Sequence, residues 1–484
     1  MINSGLAPKA IWLMLFLFLF LFSLSALQPV GAADKSAAAR LTPEQAVALA
    51  LKADYQVKSD RNALEKAKLA VKKTALDTMP QATVEGQYQY QTADHTYPSG
   101  YQIVIQQTLP TSYNLYGQKI DSAAIAAMWD QLIAEATLQI DQAEVIYKTY
   151  DDYLRVLKLR QMIKQEEEAV ATYQASNALA LKQLSLGKIT KPDQLKIENY
   201  LNQAAFNLEK NRSDLEIAQE KLANQMGLQD LAGYQLEEVK PAVSPGLKNA
   251  PLQELAPLQE QALERRLELK KYDLSIKKAQ RTWSQAKQDE MPVLSFNYNN
   301  KAATQSYGLG YDFLSGDISW QAAQASSSNV SDSGNTNYFS NAGNKSYFTL
   351  KLSWNLDFGT AANTTKQSQY SLENAKLDWE KEQQAIQLEV KQAWSDLRMA
   401  VKQHDLNQKT LAYHAKNVEI KQLQAKLGTI KYADLAEAQQ DGLDARIAAV
   451  QSDYDQILAY QNLLKVTGNL YPFAEQSHGE ETKP

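Results

Sequence analysis

The side chains in this sequence that could perform metal or acid–base chemistry are four histidines and several short acidic runs. His404 and His414 stand ten residues apart in one helical segment, which does not suit a metal ion shared by two histidines. The acidic runs, such as Asp151–Asp152 and Glu166–Glu168, are typical of solvated helix faces. No glycine-rich phosphate loop, Ser/His/Asp order or zinc-type spacing occurs. The sequence therefore predicts no enzyme, no metal site and no cofactor.

Composition narrows the class of protein further. The chain has 484 residues, of which 44% are hydrophobic and 22% charged, and a formal net charge of -5. This near-balanced charge does not indicate a basic surface for nucleic-acid binding. The chain contains no cysteine, which excludes disulfides, thiolate zinc sites and a lipid-modified N-terminal cysteine.

The N-terminus has the pattern of an export signal. Lys9 supplies a positive charge, Ile11 to Leu27 is an almost unbroken apolar run, and Val30-Gly31-Ala32 offers small residues for cleavage. We expect a signal peptide over residues 1–32, the alternative being an uncleaved membrane anchor. After residue 40 no stretch approaches the ~20 apolar residues that a membrane-spanning helix requires. The mature chain is thus expected to leave the cytoplasm without a helical membrane span.

The chain contains an internal duplication. Leu51–Pro80 aligns without gaps on Leu263–Pro292, and Leu186-Gly187 aligns on Leu427-Gly428. The offset grows from 212 to 241 residues between these blocks, so the second copy carries about 29 extra residues, within Lys301–Ser346. The predicted organisation is a first repeat, a Pro-bearing linker, a second repeat with a long loop, and a tail; their bounds are 41–228, 229–257, 258–470 (loop 301–346) and 471–484.

Each repeat predicts one very long helix flanked by two shorter ones. Residues 118–186 would form a rod of ~100 Å at 1.5 Å per residue, a length that implies coiled-coil packing. The shorter helices, 44–79 and 193–226, sum to about the same length and could stack end to end beside it. Apolar residues recur every seven positions in one shorter helix: Leu201, Leu208, Leu215 and Leu222. In the second long helix they alternate by four and three: Ile386, Val390, Ala393, Leu397 and Ala400. Such stripes indicate a packing seam rather than a ligand site.

Between the helices the hydrophobic period changes to two. Four segments alternate in this way: residues 83–90, 101–106, 294–299 and 348–358. Aromatic-rich segments of about ten residues fit transmembrane β-strands, although an ordinary sheet over a soluble core is the alternative. Because a barrel in lipid must close and four strands are too few, several chains must share one barrel. The Ser/Asn/Gly-rich segment 301–346 is expected to be an exposed loop, with substrate binding as the less favoured role.

This ordered set of parts resembles the TolC-like outer-membrane efflux protein family over residues 41–472. The local resemblance lies in the Leu41–Ala46 segment that opens the first helix. It lies also in the turns Leu186-Gly187-Lys188-Ile189 and Leu427-Gly428-Thr429-Ile430, each followed by an aspartate six residues after its glycine.

The resemblance implies a mostly α protein with a membrane β-barrel portion. It would be a homotrimer in which four strands per chain close a twelve-stranded barrel in outer-membrane lipid. The barrel would continue into a duplicated long-helix coiled-coil tunnel in the periplasm, with the linker and tail as a belt. The implied function is the passive exit duct of a tripartite efflux or type I secretion system. The two turns would dock a periplasmic adaptor protein, which links the duct to an inner-membrane transporter.

The resemblance also implies a pore constriction at Asp434 and Glu437. Residues three apart share a helix face, and a trimer would place copies of both carboxylates around one axis, which favours cations. A solvated helix face near a cap is the alternative. Glu437 departs from the expected aspartate, Gly442 weakens its helix, and Lys431 would partly offset the acidic ring.

A rival function is a periplasmic coiled-coil adaptor or assembly protein without a pore. Such a protein would also carry an export signal and long helical hairpins. The duplication and the equivalently placed aromatic strands favour the channel.

Overall fold

The structure is a computed structural model that describes residues 39–87, 100–110, 123–231, 233–239, 254–302, 304–325, 345–354 and 359–470. The predicted signal peptide and C-terminal tail lie outside these ranges. Eight helices occur in the described ranges: α1 Pro43–Ala53, α2 Tyr55–Asp77, α3 Ala123–Ser185, α4 Lys191–Gln225, α5 Leu255–Arg265, α6 Leu267–Asp289, α7 Thr360–Lys426 and α8 Tyr432–Val466. Within those ranges, no helix is both long and apolar enough to cross a membrane.

The first helix begins where its capping residues predict. Thr42 is the N-cap, its hydroxyl accepts a hydrogen bond from the Gln45 backbone N–H at 3.3 Å, and the Gln45 side chain accepts from the Thr42 N–H at 3.1 Å. Pro43 occupies the first turn, where a missing N–H costs nothing. This reciprocal cap stabilises the start of α1.

The prediction of one unbroken helix over residues 44–79 is wrong, because the helix breaks at Asp54. Asp54 has an extended ψ of 130°, and its carboxylate accepts from the Val57 N–H at 2.9 Å, which starts α2. The second repeat breaks at the equivalent residue, Arg266, between α5 and α6. Arg266 there donates to Glu268, Glu389 and the Val466 carbonyl.

The helices pack side by side in two repeats. In the first repeat α2 and α4 both pack along α3, and in the second α6 and α8 pack along α7; α6 and α8 also contact α3 and so join the repeats. The predicted end-to-end stacking of the shorter helices is confirmed at Gly227, just past α4. A Cβ on this glycine would lie 2.8 Å from Ala53 Cβ, at the end of α1.

The predicted seam of α7 is buried. Ile386, Val390, Ala393 and Leu397 are each at most 2% exposed and pack with Leu258, Ala262 and Leu463. The first repeat has a matching core around the fully buried Tyr153, Val156 and Leu222.

Part of the predicted linker forms a small sheet beside this core. Strand β1 (Ala39–Leu41) pairs in parallel with β4 (Tyr234–Leu236). The Tyr153 hydroxyl lies 2.7 Å from the Leu41 carbonyl and 2.8 Å from the Glu237 carbonyl, so it ties both strands to α3. Burial raises the pKa of Tyr153 to about 12, so the hydroxyl keeps its proton.

A second sheet contains the four predicted alternating segments and two further strands. Its order is β2-β3-β7-β6-β5-β8. The strands are β2 Gln81–Gln87, β3 Gly100–Leu109, β5 Val293–Lys301, β6 Gln305–Asp312, β7 Ile318–Ala325 and β8 Lys345–Ser353. Strands β2, β3, β5 and β8 confirm the predicted segments as far as they are described; residues 88–90 and 355–358 lie outside the described ranges.

The predictions of four strands per chain and of a loop over 301–346 are therefore wrong for residues 305–325. These residues form the antiparallel hairpin β6–β7. The physical reason is the turn between the strands: the Asp312 carboxylate accepts from the N–H groups of Leu314 and Ser315 at 2.9 Å, and Gly316 adopts φ 71°. Glycine, serine and alanine in the strands weaken the period-two signal.

Candidate pore constriction and helical tip

The two repeats end in the same turn at the same end of the bundle. Gly187 follows α3 with φ 68°, and Gly428 follows α7 with φ 72°. The Gly187 N–H donates to the Leu184 carbonyl and the Lys188 N–H to the Gln183 carbonyl, and Gly428 and Thr429 repeat both bonds. This is a Schellman cap, which places its glycine in the left-handed region where a side chain is strained.

The turns present apolar side chains at the end of the bundle, which we call the tip (residues 186–189 and 427–430). Leu186 is 62% exposed and Leu427 78% exposed. Ile189 instead packs inward against a small core of Ala180, Ile197 and Ala436. Six of the eight residues predicted for docking are exposed, and the two leucines are the exposed apolar side chains among them, while Ile189 and Ile430 are half-buried.

The two helices that leave the tip begin differently. The Thr190 hydroxyl and the Asp193 carboxylate form a capping box at the start of α4, and these hydrogen bonds lower the pKa of Asp193. At the start of α8 the equivalent residues are Lys431 and Asp434, and Lys431 makes no side-chain cap. The carboxylate of Asp434 is therefore not used in capping and is left at an exposed position in the first turn of α8.

Ion pairs join the repeats just behind the tip. Lys196 Nζ on α4 lies 2.5 Å from Glu437 Oε2 on α8, and Lys431 Nζ lies 3.5 Å from Asp193 Oδ2. The Lys196 hydrogen bond lowers the pKa of Glu437, and Glu437 raises the pKa of Lys196. Asp434 raises the pKa of Lys196 as well. Both partners of this pair stay charged near neutral pH.

Both acids predicted for the constriction are exposed on α8, one turn apart. Sequence reasoning missed Lys196, which neutralises part of the Glu437 charge. Lys196 and Glu437 occupy the same position in the two repeats, 241 residues apart. The repeat alignment therefore indicates that the two side chains lie at the same level of the bundle.

Gly442 does not interrupt α8, contrary to what its helix propensity indicates. It is buried where α8 meets α7, and a Cβ there would lie 3.0 Å from Val418 Cγ2. The glycine lets the two helices approach closely. In the part of the chain that the structure describes, no group of three or more histidine, aspartate and glutamate side chains could hold a metal ion.

At the sheet, one face is apolar and exposed. Phe348, Leu350 and Leu352 on β8 are 72%, 69% and 69% exposed. Thr349 and Lys351 alternate with them and so point to the opposite face. The molecule thus combines ~100 Å helices with a sheet that has one apolar, exposed face and one polar face.

Comparison with known proteins shows which of them this architecture is similar to. Residues 258–469 match the family described as outer membrane efflux protein. No curated protein sequence matches the chain.

Solved structures of outer-membrane channels share the fold over most of the chain. The outer-membrane channel OprN matches with a TM-score of 0.65 at 16% identity, covering 88% of this chain and 89% of that one. The Campylobacter jejuni CmeC outer membrane channel gives 0.64 at 14%, covering 91% and 89%. The open state of the Neisseria gonorrhoeae MtrE outer membrane channel gives 0.63 at 13%, covering 92% and 94%. The family match covers the second repeat, and the likeness to these channels over most of the chain shows that it shares their fold, with duplicated long helices and a two-faced sheet.

Proposed function

We propose that this protein is the passive exit duct of a tripartite efflux or type I secretion system. The observation that carries the proposal is the exposed apolar face of the six-stranded sheet, at one end of helices far longer than a soluble core needs. A sheet with one apolar and one polar face suits a barrel wall between lipid and a wet lumen. The helices would extend the lumen through the periplasm.

Three copies would close the duct, and the arrangement of helices indicates where they meet. Within a chain, α7 packs on α6 and α8, and α4 packs on α3, so α7 and α4 lie at opposite ends of the row. On α7 an exposed stripe recurs every seven residues: Met399, Leu406, Tyr413 and Ile420. On α4 the exposed Leu195, Phe206 and Ile217 recur every eleven. Exposed apolar stripes of this kind mark contact surfaces, and we assign them to the contact between α7 of one copy and α4 of the next.

The constriction is assigned to Asp434 and Glu437. Threefold symmetry would bring three Asp434 carboxylates, free of any capping role, to one level of the tunnel. Lys196 holds Glu437 against α4, so the contact between α4 and α8 and the charge of the ring are linked. Separating these helices would free the Glu437 carboxylate from Lys196 and add its charge to the ring.

The tip is assigned to docking of the adaptor protein. Leu186 and Leu427 are exposed, apolar and carried on turns with the same geometry, so two equivalent contacts per chain are available. The inner-membrane transporter would supply the energy, because a tube lined by polar side chains has none.

Planar-bilayer recording of the purified mature protein tests the channel against the adaptor alternative. A discrete cation-selective conductance supports the duct. A correctly assembled protein that carbonate extracts from membranes and that conducts no current would support the adaptor and overturn the proposal.

The constriction is tested in the same recordings with Asp434→Ala/Glu437→Ala. The conductance should rise and the cation selectivity fall. A matched control is Asp405→Ala/Glu419→Ala, which removes two exposed carboxylates that each pair with a lysine of their own helix α7. Equal effects of the two double variants would refute the constriction but leave the channel standing.

A further inference from the structure

The hairpin β6–β7 lies inside the sheet rather than above it. Strand β7 pairs with β3 along eight residues, from Leu109↔Ile318 to Gln102↔Ala325, and β6 pairs with β5 along seven, from Ser295↔Asp312 to Lys301↔Ser306. The hairpin therefore separates β3 of the first repeat from β5 of the second. Without it, these two strands would be the neighbours.

The hairpin continues the apolar face of the sheet in register. One cross-strand row runs through five strands, and its members are Gln107, Trp320, Leu309, Tyr298 and Phe348. Leu309 is 49% exposed, and the neighbouring Tyr307 is 52% exposed. The Trp320 Nε1–H donates to Gln107 Oε1 at 2.8 Å, which pairs these two polar atoms. The apolar face thus continues across the hairpin as far as Tyr307, and the exposed Gln305 and Gln324 follow at its end.

The opposite face is polar and closely packed at the hairpin. Gly310 lies on this face between Ser319 of β7 and Asn297 of β5. A Cβ on Gly310 would lie 2.6 Å from Ser319 Oγ and 2.7 Å from Asn297 Oδ1. Gly308 is similarly enclosed, since a Cβ there would lie 3.0 Å from Gln321 Cγ. Crowding on the polar face and exposure on the apolar face are expected of a wall whose inside is polar.

Two inserted strands also preserve the alternation of direction. Every pair in the sheet is antiparallel, so the edge strands β2 and β8 run in opposite directions. The β8 edge of one copy can then pair antiparallel with the β2 edge of the next, and no edge remains in lipid.

We propose that β6–β7 is part of the membrane wall, so that three copies close an eighteen-stranded barrel instead of the twelve-stranded one implied by resemblance. This inference rests on the proposed function. Because barrel diameter grows roughly linearly with strand number, the exit would be ~1.5-fold wider than with four strands per chain. The inside of the added segment carries Gly308, Gly310, Ser319 and Gln321, so the wider exit is lined by small and amide side chains.

Single cysteines test the assignment, since the chain has no native cysteine. Leu309→Cys and Ser319→Cys probe the two faces of the hairpin, and Leu350→Cys and Thr349→Cys are matched controls on β8. Each trimer, reconstituted in liposomes, is exposed to a charged maleimide and to a lipid-soluble one. We expect Leu309→Cys and Leu350→Cys to react only with the lipid-soluble reagent, and Ser319→Cys and Thr349→Cys to react with the charged one.

The possible failures are distinguishable. Reaction of Leu309→Cys with the charged maleimide, while Leu350→Cys stays protected, would place the hairpin outside the wall and overturn this inference alone. Reaction of both with the charged reagent would remove the sheet from the membrane and overturn the proposed function as well.

Deletion of residues 302–325 gives a second readout. The size of polymer that enters from the barrel side should fall, because the wall loses two strands per chain. A plug or lid would give the opposite result, since its removal admits larger polymers. An unchanged size limit would also overturn the inference.

Discussion

Glu166→Gln should stabilise the protein relative to the unmodified chain, and this gain in stability should grow as the pH rises. Glu166 on α3 is 1% exposed, and its Oε2 has no hydrogen-bond partner in the described part of the chain. Burial, with a smaller contribution from Asp444 on α8, raises the pKa of Glu166 from 4.5 to about 7. The folded protein therefore holds this proton more tightly than the unfolded chain does.

The sign and size of the effect follow from proton linkage. Well below pH 4.5 the carboxyl is protonated in both the folded and the unfolded state, so its burial costs no stability. As the pH rises to about 7, the unfolded chain gains the freedom to ionise and folding loses stability. A pKa difference of this size corresponds to at most ~3 kcal/mol per chain above pH 7. The glutamine side chain of the variant is neutral throughout, so the variant avoids this cost.

The assay is the apparent melting temperature, at one scan rate, between pH 5 and pH 8. The gain from Glu166→Gln should be about a quarter of its full size at pH 5, because the unfolded carboxyl is already mostly ionised there, and should reach several degrees at pH 8. Glu167→Gln is the matched control, because its exposed carboxylate pairs with Arg212 at 2.8 Å and such pairs contribute ~0–1 kcal/mol. A difference between Glu166→Gln and the unmodified protein that is constant with pH would refute the reasoning.

Three other substitutions give expected outcomes. Tyr153→Phe should lower the free energy of unfolding by ~1 kcal/mol in urea melts, because the hydroxyl proton shared by the Leu41 and Glu237 carbonyls is lost while the Leu41 carbonyl keeps the Glu237 N–H as its donor; Tyr370→Phe, at a side chain 63% exposed, should change little. Gly428→Ala should cost ~1 kcal/mol at the tip and speed hydrogen exchange around Thr429, since φ is 72°, whereas Gly233→Ala, with open space around it, should not. Lys431→Thr should stabilise the first turn of α8 by ~1 kcal/mol and so slow its hydrogen exchange, because the new threonine and Asp434 would form the cap that Thr190 makes with Asp193. Unchanged exchange would contradict this explanation of the asymmetric caps.

Features with local signals could be predicted from the sequence. Thr42-Pro43 fixes the start of α1, the glycines at 187 and 428 end the long helices, and the spacing of Ile386 and Val390 gives the buried seam. These are patterns of backbone geometry and burial that act within a few residues. The duplication supported the predicted order of helices, strands and turns, because the same order occurs in both repeats.

Features that depend on distant contacts could not be predicted. The Lys196–Glu437 pair forms only when α4 and α8 meet. The breaks at Asp54 and Arg266 depend on caps and ion pairs that a continuous apolar pattern hides. Strands β6 and β7 carry Gly308, Gly310 and adjacent alanines, whose small side chains blur the alternation, and their sheet position is set by β3 and β5.

The central claim, that three copies of this chain form one closed duct, is tested most directly by electron cryo-microscopy of the purified protein in lipid nanodiscs. Each chain contributes four helical columns side by side: α7, the α6 and α8 pair, α3, and the α2 and α4 pair. The account predicts threefold symmetry, a ring of twelve helices in cross-section and a closed barrel within the lipid. A particle of any other symmetry, or one whose sheet stays open or lies outside the lipid, would contradict it.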